Sequence, residues 1–137
     1  MKKIVLKGRG LVEGKFFGEM IISRKPLSFL GGIDVLSGKI LDSNNNLYME
    51  KISGRIFYLP TSVGSTVGAF VIYKLHKDNL GPQAIVCEKA DSMLVTGCAI
   101  SNIPLVDQIN VEDLPKTNII KKCEIDGKKG TLTILED

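Results

Sequence analysis

The chain has 137 residues, 44% of them hydrophobic and 24% charged, with a formal net charge of +3 at neutral pH. That balance predicts a soluble globular protein with a genuine core, and the length fits one domain over residues 1–137. No apolar run approaches the roughly 20 residues a membrane-crossing helix needs, and the basic residues form no stripe with interleaved aromatics, so neither a membrane nor a nucleic acid is expected as a partner.

In chain order, Met1-Lys2-Lys3-Ile4-Val5-Leu6 opens like a leader, but Lys7, Arg9 and Glu13 interrupt it, and Lys3–Lys7 reads as the first strand of a cytoplasmic protein. Glycines then divide short apolar runs, predicting a mostly β first half with strands at Gly18–Ile22, Lys39–Leu41 and Arg55–Leu59 and an exposed turn over Asp42–Asn46. From Thr66 to Lys77, the three- and four-residue spacing of Val67, Phe70, Val71 and Leu75 predicts a helix, stopped by Asp78-Asn79-Leu80-Gly81-Pro82. Ala84–Cys87 is a short continuous apolar run, the mark of a strand covered on both faces, which makes a β-α-β unit. A second helix is predicted over Ser92–Ile100, with Gly97 its weak point, and Ile103–Val106 returns the chain to the sheet. Ile119–Ile125 and Thr131–Leu135 form two strands around a turn at Asp126-Gly127. The fold class is α/β.

The chemistry-bearing residues are few. Cys87, Cys98 and Cys123 are odd in number, lack C-x-x-C spacing and sit in apolar context, which reads as reduced, buried thiols. His76 falls near the end of the predicted helix beside Lys74 and Lys77, where positive charge complements the helix dipole. Lys121-Lys122 and Lys128-Lys129 suit a solvated strand edge, and Arg9, Arg24 and Lys25 are isolated cations.

Two segments stand apart. In Pro60-Thr61-Ser62-Val63-Gly64-Ser65-Thr66-Val67-Gly68, a strand ends at proline, small residues turn the chain and a helix begins. Ser65 is then either an ordinary N-cap or a hydroxyl held where unpaired backbone N–H groups can receive an anion or steady an alkoxide. In Pro26-Leu27-Ser28-Phe29-Leu30-Gly31-Gly32-Ile33-Asp34, the glycine pair beside a hydroxyl and a carboxylate permits close approach to a ligand, or makes a routine turn. The Walker pattern is absent, which rejects a nucleotide P-loop.

Taken together and in order, Pro26–Asp34, Gly54-Arg55-Ile56, Pro60 and Gly64-Ser65-Thr66-Val67-Gly68 resemble the small, swivelling subunit of the aconitase X family, through nearly the whole chain. Val63 departs from it, standing where the family often has Lys or Arg. The resemblance implies a β/β/α swivelling domain that closes over a larger subunit, forming a heterodimer inactive without it. That larger subunit would hold most of the site and an iron–sulfur cluster of the 4Fe-4S type, with none bound by this chain. The implied reaction is dehydration of (R)-5-phosphomevalonate to trans-anhydromevalonate 5-phosphate in the archaeal mevalonate route to isoprenoids. A related hydroxyproline-type dehydratase and a non-catalytic anion-binding module are the alternatives. By the same resemblance Ser65 corresponds to the proton acceptor, Gly64 and Thr66 to substrate-binding positions, and Ser28, Gly31, Gly32 and Asp34 to the facing wall.

Overall fold

The computed structural model describes residues 2–64 and 67–136. Eight strands, β1 (Lys2–Lys7), β2 (Arg9–Val12), β3 (Lys15–Ile22), β4 (Ile56–Leu59), β5 (Ala84–Cys87), β6 (Leu105–Asp107), β7 (Ile119–Asp126) and β8 (Thr131–Glu136), build one sheet in the order β1-β8-β7-β3-β4-β5-β6-β2. Strands β3 to β6 are mutually parallel, while β7, β8, β1 and β2 pair antiparallel. The helical elements are a short turn α1 (Phe29–Gly32) and the helices α2 (Gly68–Lys77) and α3 (Ser92–Ile100).

The two strands at opposite ends of this order, β1 and β2, are consecutive in the chain, so the sheet curls back on itself. A seam of glycines closes it. Gly8 N–H donates to the Gly130 carbonyl at 2.7 Å and Gly127 N–H to that of Gly14 at 2.7 Å. A β-carbon on Gly127 would stand 2.0 Å from the Val12 carbonyl oxygen, and one on Gly10 would stand 2.1 Å from that of Gly127. Only hydrogen fits between these backbones.

Alternation along the central strands sends side chains to two cores. Met20, Ile22, Ile56, Tyr58, Ala84 and Val86 point inside the curl, against Cys123, Ile125, Leu132 and Ile134. There the Tyr58 hydroxyl donates to the Ile109 carbonyl at 2.7 Å, which satisfies the polar end of a fully buried ring. Ile21, Phe57, Leu59, Ile85 and Cys87 face the helices, with Phe29 set edge-on to Phe57 at 6.2 Å between ring centres. Each fully buried side chain of this size is worth about 1.5–3 kcal/mol relative to exposure.

The predicted β5, α3 and the closing pair β7 and β8 all form, and β4-α2-β5 is the expected β-α-β unit. The predicted start of α2 at Thr66 lies outside the described residues. Phe70 is not on the buried face of α2: it is 71% exposed, and Ala69, Val71, Ile72 and Leu75 do the packing. Gly97 is the contact point of α2 and α3, where a β-carbon would come within 3.3 Å of the Ala69 Cα. Lys39–Leu41 is no strand, only part of two isolated bridges, Ile33 to Ile40 and Lys39 to Lys51. The turn over 42–46 is not wholly exposed either: Asn45 is buried, donating to Ser23 Oγ and accepting from Leu47 N–H, both at 2.8 Å. β2 was not anticipated from the sequence.

Candidate functional site

Three loops leave the carboxyl ends of the parallel strands β3, β4 and β5, the edge where open α/β sheets receive ligands. They are laced together. Leu27 N–H donates to the Thr61 carbonyl at 3.3 Å and Val63 N–H to the Leu27 carbonyl at 3.1 Å, which brings the two glycine-bearing segments side by side. The Pro60 carbonyl accepts from Glu88 and Lys89, joining the third loop. Pro60 lacks a donor of its own, so β4 stops there while its carbonyl still serves the neighbour.

Of the expected site residues, Ser28 and Gly64 meet directly. Gly64 has φ of +101°, and a β-carbon on it would stand 2.9 Å from Ser28 Oγ. The Ser28 hydroxyl donates to the Leu30 carbonyl at 2.8 Å. Gly31, with φ of +85°, turns the chain into Gly32, whose carbonyl accepts from Leu41 N–H at 2.9 Å. Asp34 is engaged within its own turn: its carboxylate accepts from Ser37 Oγ at 2.7 Å and Leu36 N–H at 3.2 Å, and these bonds hold it below the usual carboxylate pKa. Ser65 and Thr66 lie outside the described residues.

Two residues that the sequence reading passed over belong to this place. Ser62, nearly buried, donates from Oγ to Asp91 Oδ2 at 3.1 Å, and Asp91 caps α3 by accepting from Leu94 N–H at 2.9 Å. An aspartate just before an apolar helical run is a cap signal in the sequence; its bond to Ser62 is not.

Two of the isolated cations, Arg9 and Arg24, are occupied elsewhere. Arg9 makes a two-pronged pair with buried Asp107, at 3.0 and 2.8 Å, and that hydrogen bonding raises its pKa. Arg24 donates to the Pro115 and Thr117 carbonyls, both at 2.8 Å, beside a depression of about 380 Å³ that no expected site residue lines.

The thiols do not suit an iron–sulfur cluster. All three are buried and unpaired by disulfides, Cys87 and Cys98 on the helix side of the sheet and Cys123 on the opposite face. Burial pushes each thiol pKa up, that of Cys123 to about 12. Among the described residues no group of three or more His, Cys, Asp or Glu side chains is placed to hold a metal ion.

The lip of the site is apolar. Leu30, Val63, Val67 and Phe70 are each roughly half or more exposed, and an open groove of about 310 Å³ runs between α2 and α3, floored by Ala69 and Met93 and flanked by Phe70 and Ile100.

Likeness to known proteins agrees with this arrangement. Residues 5–134 match the model of the aconitase X swivel domain. The chain is 46% identical over 132 residues to the phosphomevalonate dehydratase small subunit of Thermococcus kodakarensis, covering 96% of this chain and 97% of that one. It is 45% identical over 130 residues to the subunit of the same name from Pyrococcus furiosus, covering 95% of each. Its fold superposes on a chain of the crystal structure of Thermococcus kodakaraensis aconitase X in its holo-form with a TM-score of 0.91, at 45% identity, over 97% of this chain and 99% of that one. The mixed sheet, the paired loops and the near-complete match together make this chain a member of the aconitase X swivel-domain family.

Proposed function

We propose that the chain is the small subunit of a two-subunit hydro-lyase that dehydrates (R)-5-phosphomevalonate to trans-anhydromevalonate 5-phosphate. The observation that carries this reading is the near-complete match, at 46% identity, to a subunit named for that dehydratase. Because the thiols here do not suit a cluster, the iron–sulfur group implied by the family is assigned to the larger subunit, and only this chain's part is derived below.

Elimination of water takes a proton from the carbon beside the carboxylate; the C–H electron pair becomes the double bond, and the neighbouring hydroxyl departs with its own pair. Ser65 accepts that proton. A free serine hydroxyl is a poor base, so this role requires an alkoxide steadied by hydrogen-bond donors. Gly64, without a side chain, leaves the approach clear, while Thr66 offers a hydroxyl and an N–H to substrate oxygens. Ser28, Gly31 and Gly32 form the facing wall. Asp34 supports that wall by closing its turn with Ser37.

The apolar lip and groove account for the partner. Exposed Leu30, Val63 and Phe70 around a reactive centre suit a face that another protein covers, which would exclude water from the site.

The test is reconstitution with the large subunit under anaerobic conditions, followed by an assay with phosphomevalonate. Ser65→Ala should lower kcat roughly 10²–10⁴-fold, the range of a lost general base, with association of the subunits intact. Undiminished turnover in that variant removes the assignment of Ser65. Turnover of a hydroxyproline in place of phosphomevalonate redirects the substrate, and binding without any turnover leaves an anion-binding module.

A further inference from the structure

We infer that Ser62 and Asp91 form a latch that positions the loop leading into Ser65, and that Asp91 is therefore a positioning residue for the dehydration. The inference deepens the function proposed above and rests on Ser65 being the proton acceptor.

Backbone bonds hold residues 60–63 on both flanks: on the β3 side Leu27 N–H donates to the Thr61 carbonyl and the Leu27 carbonyl accepts from Val63 N–H, and on the β5 side Glu88 and Lys89 N–H donate to the Pro60 carbonyl. On the β5 side the Ser62–Asp91 bond adds a side-chain tie two residues beyond Pro60, at the start of α3. Asp91 uses both carboxylate oxygens, one for Leu94 N–H and one for Ser62 Oγ. That division explains the residue type. Serine or threonine would cap α3 about as well, but each has a single side-chain oxygen. A carboxylate caps and latches at once, and its charge strengthens both bonds. Beyond Ser62 the chain passes through Gly64, whose φ of +101° is a backbone angle that other residues rarely adopt. Ser62 stands three residues before Ser65 in the sequence. Displacing a reacting group by 1 Å can cost about 10²-fold in rate, so loosening the latch should register in catalysis rather than in folding.

The experiment uses the reconstituted pair and four variants of this chain: Ser62→Ala, Asp91→Ser, the double variant, and Asp91→Asn. Ser62→Ala leaves the helix cap in place, and Asp91→Ser keeps a capping oxygen while withdrawing the second one. Each single variant should lower kcat by roughly 10- to 100-fold with KM within about twofold of the parent. The double variant should be no slower than either single one, because both remove the same bond. Asp91→Asn should restore most of the rate, since its carbonyl oxygen can cap Leu94 and its amide can donate to Ser62 Oγ. Parental kcat in Ser62→Ala, an additive double variant, or lost activity traced to failed subunit association overturns the latch. Ser65→Ala separates the two failures. If that variant is inactive while Ser62→Ala keeps its rate, the latch alone falls; if Ser65→Ala turns over normally, the base assignment falls and the positioning role with it.

Discussion

Glycine is used in two opposite ways at the two ends of this molecule. At the seam, Gly10 and Gly127 let backbones meet so closely that an added β-carbon would strike a carbonyl oxygen at 2.0–2.1 Å, and carbonyls held in a curled sheet cannot retreat. At the rim, a β-carbon on Gly64 would meet the Ser28 side chain, its Oγ at 2.9 Å, and what the glycine supplies is a backbone angle that other residues rarely adopt. The seam glycines hold the sheet closed. The rim glycine steers a loop. The fold thus keeps its rigidity and its adaptable chemistry in separate places, with the parallel strands between them.

The sharpest way to break that contrast is Gly127→Ala. The added methyl has no free volume and should destabilise the chain by about 3 kcal/mol or more, read as a lower urea midpoint, because relief requires the sheet to open. A midpoint close to the parent's would show that the seam can yield. Gly64→Ala should cost less in stability, about 1–2 kcal/mol from the positive φ, yet depress kcat of the reconstituted pair by a larger factor than that loss of folded protein explains. Equal effects on stability and rate would erase the distinction between steering and closure.

The smallest effect concerns acid. Asp126, the last residue of β7, accepts backbone bonds from Lys129 and Lys128, both at 3.0 Å, and these, with Lys15 nearby, hold its pKa below the ordinary carboxylate value. A depressed folded pKa contributes stability above the unfolded value, about 3.9, and that contribution is lost as pH falls through the folded value. Between about pH 5 and 3, Tm of the parent should therefore drop more steeply than that of Asp126→Asn, which keeps the accepting oxygen but not the charge. Parallel curves would mean that this carboxylate does not help hold the seam.

Local pattern carried much of the architecture. Ala84–Cys87 and Ser92–Ile100 were legible residue for residue because a continuous apolar run and a helical stretch are statements about neighbours in sequence. The failures share a cause. Arg9–Val12 was hidden as a strand because Gly8 and Gly10 read as punctuation, whereas Gly10 is there to admit Gly127 from the far end of the chain. Phe70 fitted the helical spacing, but that spacing also fits Ala69, Ile72 and Leu75, and only the position of α3 decides between the faces. At the site, the two glycine-bearing segments stood out by composition, and the aconitase X resemblance linked them to one site. Their hydrogen bonding to each other, and the Ser62–Asp91 bond, are long-range facts without a local signature.

The pairing of β1 with β8 has a consequence for synthesis. Lys3 aligns with Leu135 and Lys7 with Thr131, so β1 leaves a ribosome and waits for a partner made more than a hundred residues later. Contacts of such long range slow folding, and meanwhile an unpaired strand offers its edge to other chains. The Lys2, Lys3 and Lys7 charges along β1 suit that interval, since they oppose edge-to-edge pairing until the proper neighbour exists.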